Sequence, residues 1–221
     1  MAGTFNEEAL KEIEAQLSCP QGENGIEMGK EMNKTNISMT LNTIEQLGLS
    51  EQDSLLEIGP GNAGHLAKIM EVAADISYQG LDISDTMIAE AHRINASLMA
   101  SHKINFTKYD GQKIPFAKET LDKVMTVNTL YFWKNPTEFL QEIARVMKPQ
   151  GLLIITFAKK EFMQKLPFIG EKFSLYDEQA IVELVGTSTL NITQIIDKEE
   201  EVESSDGEKI KRTYFIVKIR K

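Results

Sequence analysis

The chain has 221 residues, 42% of them hydrophobic, with 24 Lys or Arg against 33 Asp or Glu, a formal charge of −9 and a pI near 5.0. That length and apolar content suffice for one sizeable α/β core, and the acidity argues against a general affinity for nucleic acid, which needs clustered cations to displace counterions. The single cysteine, Cys19, excludes an internal disulfide and a cysteine-built metal cluster, and no run of about 18 apolar residues predicts a membrane span.

The N-terminus alternates charged and apolar residues instead of presenting a signal-like apolar stretch, so the expected address is the cytoplasm. A helix is predicted from about Asn6 to Leu17, followed by a glycine-punctuated stretch, CPQGENGIEMGKEMNKTN, and a helix to Leu47 that Gly48 closes. Residues 1–48 are read as a helical cap. Within it Gly22–Asn36 is a candidate lid, with Met32 and Asn36 approaching the site; the alternative is a helix that only covers a sheet edge.

From residue 54 the runs SLLEI, DISYQGL, INFTKY, KVMTV and GLLIITF alternate with amphipathic stretches at Ala63–Ala73, Asp85–Ala100 and Pro136–Met147. This is a βαβ pattern, and it predicts a parallel sheet over residues 50–157 whose ligands gather at the carboxyl ends of the strands. Residues 158–176 lose the period and are rich in aromatics and Lys. They are read as a surface excursion in which Phe162, Phe168 and Phe173 help to define an acceptor pocket. Residues 177–221 are expected to form a helix at Asp177–Val185 and two strands, NITQIID and TYFIVKIR. A polar link with a turn at Asp206–Gly207 would join them as an antiparallel hairpin.

The segment LLEIGPGNAGHL places Gly59, Gly61 and Gly64 at G-x-G-x-x-G spacing between a strand and a helix, where backbone N–H groups can meet a ligand; a turn that serves only packing is the alternative. Asp82 ends the next strand, where a carboxylate can accept from two ribose hydroxyls. It would otherwise cap the following helix, a role that Ser84 or Asp85 fills equally well. Asp110–Gly111 follows the third strand, either at an adenine edge or as an ordinary turn. The glycine turn and its acid suit a dinucleotide such as NAD or the adenosyl group of S-adenosylmethionine.

Taken together, LLEIGPGNAG, LDISDTMIAEA, YDGQKIPF, DKVMTVNTLYFWKNP and EIARVMKPQGLLIIT resemble the class I S-adenosylmethionine-dependent methyltransferases, in the broad subset with small-molecule and quinone-pathway enzymes. The resemblance covers roughly residues 50–157. It implies a Rossmann-like three-layer sandwich whose seven-stranded, mostly parallel sheet has the order 3-2-1-4-5-7-6 with strand 7 antiparallel, and S-adenosylmethionine as cofactor. Gly59 and Gly61 become the backbone platform, and Glu57 organises the turn and the methionine-side ammonium. Asp82 holds the ribose, Ile83 and Met87 pack on adenine, Asp110 and Gly111 read its edge, and Asn128 lies beneath the methionine portion. The lack of an Asn-Pro-Pro-Tyr or Asp-Pro-Pro-Tyr run after strand four speaks against methylation of a base or amide nitrogen.

The expected acceptor is a small molecule, with no metal and no catalytic base assigned. His65 borders the glycine turn, though a lone helical histidine is more often structural, and His92 and His102 read as surface residues. Tyr131 and Trp133 either line the acceptor pocket or pack as ordinary aromatics. An NAD-dependent oxidoreductase is the competing enzyme reading. It leaves Asp110–Gly111 and the Lys148–Gly151 turn unexplained and lacks a Tyr-x-x-x-Lys pattern. A non-catalytic module that keeps the cofactor fold is the third reading.

Overall fold

Strands buried on both faces read as continuous apolar runs, and these runs build the sheet. The computed structural model describes residues 6–203, 207 and 209–221. Its elements in chain order are α1 (Glu7–Ser18), α2 (Gly22–Leu47), β1 (Ser54–Ile58), α3 (Leu66–Met70), β2 (Ser77–Asp82), α4 (Asp85–Met99), β3 (Lys103–Lys108) and β4 (Leu121–Val127). A 3-10 turn at Leu130–Phe132 follows, then α5 (Pro136–Val146), β5 (Met147–Ala158), α6 (Lys160–Met163), α7 (Glu178–Gly186), β6 (Asn191–Glu203) and β7 (Lys209–Arg220). The sheet order is β3-β2-β1-β4-β5-β7-β6, with β7 antiparallel to both of its neighbours and the remaining pairs parallel, as the resemblance implied.

The period of two along β5 divides the core. Leu153, Ile155 and Phe157 join α5 residues Phe139, Leu140 and Ile143 on one face of the sheet. Leu152 and Ile154 join Leu55, Tyr78 and Met125 on the other, beneath Met39, Ile44 and Leu47 of α2. Asn6, Ser84 and Asp177 cap α1, α4 and α7 by accepting the N–H of Ala9, Met87 and Ala180.

Four expectations are corrected. The glycine-punctuated stretch is the first half of α2, a single helix of 26 residues. Its glycines serve close packing: a Cβ at Gly25 would stand 2.7 Å from the carbonyl carbon of Pro20, and one at Gly29 2.7 Å from the Met87 sulfur. The helix expected over Ala63–Ala73 shrinks to five residues, because the backbone at Gly61 and Ala63 is left-handed, with φ of 58° and 49°. The polar link of the hairpin is largely strand. Glu199–Lys211 and Glu200–Arg212 ion pairs, both at 2.6 Å, tie β6 to β7 across residues whose composition suggested a loop. Gly207 has a φ of 83°, and Asp206 lies outside the described residues. Finally, the Lys148–Gly151 turn lies inside β5 as an irregularity, where the register against β4 shifts and Gln150 adopts a φ of 67°.

Candidate cofactor site

The strand order reverses at β1, which pairs with β2 on one side and β4 on the other, and the crevice at their carboxyl ends is where an open α/β sheet binds ligands. A cavity of about 160 Å³ lies there, walled by the glycine turn, the ends of β2 and β4, the first half of α2 and residues Leu17, Ser18 and Pro20.

The turn after β1 needs glycine for two reasons. Gly59 and Gly61 have φ of 70° and 58°, and a Cβ at Gly59 would overlap the Thr129 methyl group. At Gly61 a Cβ would meet no atom within 4 Å, so the backbone there stands open. Gly64, the third glycine of the pattern, instead lets α2 close on the turn: a Cβ would lie 2.9 Å from Asn33 Nδ2.

Asp82 is buried with its carboxylate held by two main-chain donors, Gly61 N at 3.1 Å and Ser84 N at 2.9 Å. Ser84, not Asp82, caps α4. Burial pushes the Asp82 carboxyl up to about 6; the backbone donors oppose that rise, and the nearby Glu57 charge adds to it. Glu57 is equally buried, and its Oε2 accepts from Tyr78 Oη at 2.6 Å and pairs with His65 Nε2 at 2.9 Å. Burial by itself lowers the His65 pKa, but the charge and hydrogen bond of Glu57 outweigh it and leave it above 6.5. Burial first, then the Glu57 charge, holds the Tyr78 hydroxyl well above its ordinary range. Sequence pattern alone does not show this three-residue cluster.

On the adenine side, Ile83 is 37% exposed at the cavity wall, Met87 is fully buried, and a Cβ at Gly111 would come within 3.2 Å of the Ile83 side chain. Asp110 does not line the cavity. Its Oδ1 accepts the N–H groups of Gln112 at 2.8 Å and Lys113 at 2.7 Å, which hold its exposed carboxyl below the usual range, so it serves the turn. Tyr109, which sequence reasoning passed over, lines the cavity in its place.

Asn128 directly follows β4 with a φ of 57° and lines the cavity. Its Oδ1 accepts from Tyr131 Oη at 3.0 Å and Ala158 N at 3.2 Å, and its Nδ2 donates to Asn36 Oδ1 at 3.1 Å. Met32, Asn36 and Trp133 also line the cavity, together with Phe132. The excursion aromatics do not: Phe162 is buried in the core, Phe168 is half-buried elsewhere, and Phe173 packs behind Phe132 with ring centroids 4.7 Å apart.

A doubly wound sheet with a glycine turn and a buried carboxylate at its switch point defines a nucleotide-cofactor-binding protein of Rossmann-like architecture. A family model described as a methyltransferase domain matches residues 56–155. The uncharacterized methyltransferase YdaC of Bacillus subtilis is 29% identical over 126 residues, 56% of this chain and 67% of that protein. The fatty-acid O-methyltransferase of Mycolicibacterium smegmatis is 27% identical over 135 residues, 60% of this chain and 46% of that protein, so less than half of the latter is matched. A SAM-dependent methyltransferase from Aquifex aeolicus shares the fold, with a TM-score of 0.67 at 20% identity over 87% of this chain and 97% of that one. Residues 56–155 thus carry a methyltransferase domain, and the chain has the fold of an S-adenosylmethionine-dependent methyltransferase. The site fits that cofactor: a buried carboxylate, an open glycine backbone and a second acid line one cavity.

Proposed function

We propose that the protein moves a methyl group from S-adenosylmethionine to a small acceptor with an apolar body. The observation that carries this reading is one cavity with Asp82 and Glu57 in its polar wall and Met32, Phe132 and Trp133 in its apolar wall. Bound there, the cofactor supplies an electrophilic methyl on a charged sulfur, so the chain's own share is positioning and exclusion of water. Asp82 accepts from the ribose hydroxyls, Ile83 and Met87 pack on the adenine beside Gly111, and Glu57 receives the methionine ammonium. His65 is not assigned as a base, because its ring is paired with Glu57. The acidic surface and the relative named as a fatty-acid O-methyltransferase support a metabolite or lipid-like acceptor.

Calorimetric titration with S-adenosylhomocysteine and with NAD tests the reading. The homocysteine compound should bind, and Asp82→Ala should weaken it by about tenfold or more, since hydrogen bonds to a charged group contribute roughly 1.5–3 kcal/mol. Labelled-methyl transfer to a panel of fatty acids and phenols then identifies the acceptor. Binding of NAD with hydride transfer would overturn the proposal.

A further inference from the structure

No Lys or Arg side chain lines the cavity among the described residues, although the cofactor's amino-acid end bears a carboxylate as well as an ammonium. The hydrogen-bond network behind the cavity shows which group faces it. Ala158 N–H can only donate, so Asn128 must turn Oδ1 towards it and Nδ2 towards Asn36. Arg212 also can only donate, and its Nη1 meets Asn36 Oδ1 at 3.0 Å while Nη2 meets the Thr35 carbonyl at 2.8 Å. Two obligate donors therefore converge on Asn36 Oδ1. The amide end left to meet a ligand is Nδ2, on a residue that lines the cavity.

Arg212 is buried, and Glu200 on β6 grips it with Oε1 at 2.8 Å from Nε and 2.6 Å from Nη2. Ser38 of α2 donates to the other Glu200 oxygen, so the charged pair is anchored to the same helix that carries Asn36. Buried ion pairs give little net stability, because desolvation offsets the attraction; one that fixes the orientation of a neighbour gives specificity instead.

Resting on the cofactor reading above, we propose that Arg212 is a positioning residue of the cofactor site. With Asn128 it locks the Asn36 amide so that Nδ2 receives the carboxylate of the methionine portion, opposite Glu57 and its ammonium. Arg212 lies on β7, outside the matched residues 56–155.

Two ligands separate this contact from the rest of the site. S-adenosylhomocysteine carries the amino-acid end, and 5′-methylthioadenosine lacks it. Asn36→Asp keeps an acceptor for Arg212 and Asn128 but turns an anion towards the cavity. It should weaken S-adenosylhomocysteine by about tenfold, equivalent to ~1.4 kcal/mol, and leave methylthioadenosine within about twofold of wild type. The paired change Glu200→Gln with Arg212→Gln removes the lock without leaving a lone buried charge, and it should produce a smaller loss confined to the same ligand. Equal loss for both ligands, or none for S-adenosylhomocysteine in Asn36→Asp, overturns the proposal. Wild-type protein that binds neither ligand overturns the cofactor reading itself, and this proposal with it.

Discussion

Burial disfavours the ionised form of Asp82, and the two hydroxyls of a ribose are the donors that would relieve it. Its carboxyl stands at about 6 against an ordinary value of 3.8 because burial outweighs the donors from Ser84 and Gly61. Between those two values the folded chain holds a proton that the unfolded chain has released, so this group makes stability fall as pH rises through that window. Ligand binding favours the ionised form, so affinity for S-adenosylhomocysteine should rise with pH through about 6 and level off above it. Asp82→Asn should flatten that profile in calorimetry at several pH values; an unchanged slope would remove Asp82 from the ribose contact. His65 runs in the same sense: its raised pKa contributes stability that is complete below 6.5 and is lost as pH rises through its folded value. Tyr78→Phe removes the hydroxyl that donates to Glu57 at 2.6 Å. A loss of ~2 kcal/mol follows for a bond to a buried charge, read as a melting temperature lower by about 4–8 °C in a domain of this size.

The elements most legible in the sequence were those whose burial is uniform. β5 is buried at every position from Gly151 to Ala158, so its apolar run identifies a central strand. The first half of α2 was not legible, since Gly25 and Gly29 carry the composition of a loop while their role depends on what they pack against, Pro20 just before the helix and Met87 on α4. The outer part of the hairpin was hidden for a related reason: its charges match only across the ladder. The site divides the same way. Gly59, Gly61 and Asp82 follow from local spacing and Glu57 from the family resemblance, whereas Tyr78 on Glu57 and Arg212 on Asn36 exist only once strands and helices pack. The two α2 glycines make distinguishable predictions. Gly25→Ala sets a methyl against main chain that cannot yield, so it should destabilise by about 1–3 kcal/mol in urea unfolding. Gly29→Ala meets only the end of a flexible Met87 side chain, and the gain of roughly 1 kcal/mol in helix propensity offsets the crowding. Its melting curve should stay near that of wild type while cofactor affinity falls, because Met87 lines the cavity.

Across the whole molecule, the parts that make the protein stable and the parts that enclose the cavity are separable. Both apolar clusters are built from the sheet with α2, α4, α5, α7 and neighbouring segments, and neither contains a residue of α1. The single buried residue of α1 is polar: Glu14 accepts the N–H of Lys172 at 2.7 Å and thereby ties the helix to the excursion. Beyond α1, the Pro20 carbonyl accepts from Ser84 and Gly22 N donates to Thr86 at 3.1 Å, drawing the connection across the start of α4. Leu17, Ser18 and Pro20 thus form part of the wall of the cavity of about 160 Å³. Movement of this wall would widen the path for entry and exit. A variant without residues 1–18 should release S-adenosylhomocysteine about tenfold faster or more in stopped-flow, since it loses the enclosure. Its urea midpoint should correspond to a stability loss of no more than about 1–2 kcal/mol, since none of the described residues 6–18 belongs to either cluster. Glu14→Ala, which frees the helix without removing it, should lie between the two. Unchanged release with a collapsed midpoint would make α1 a structural support and place the moving wall elsewhere.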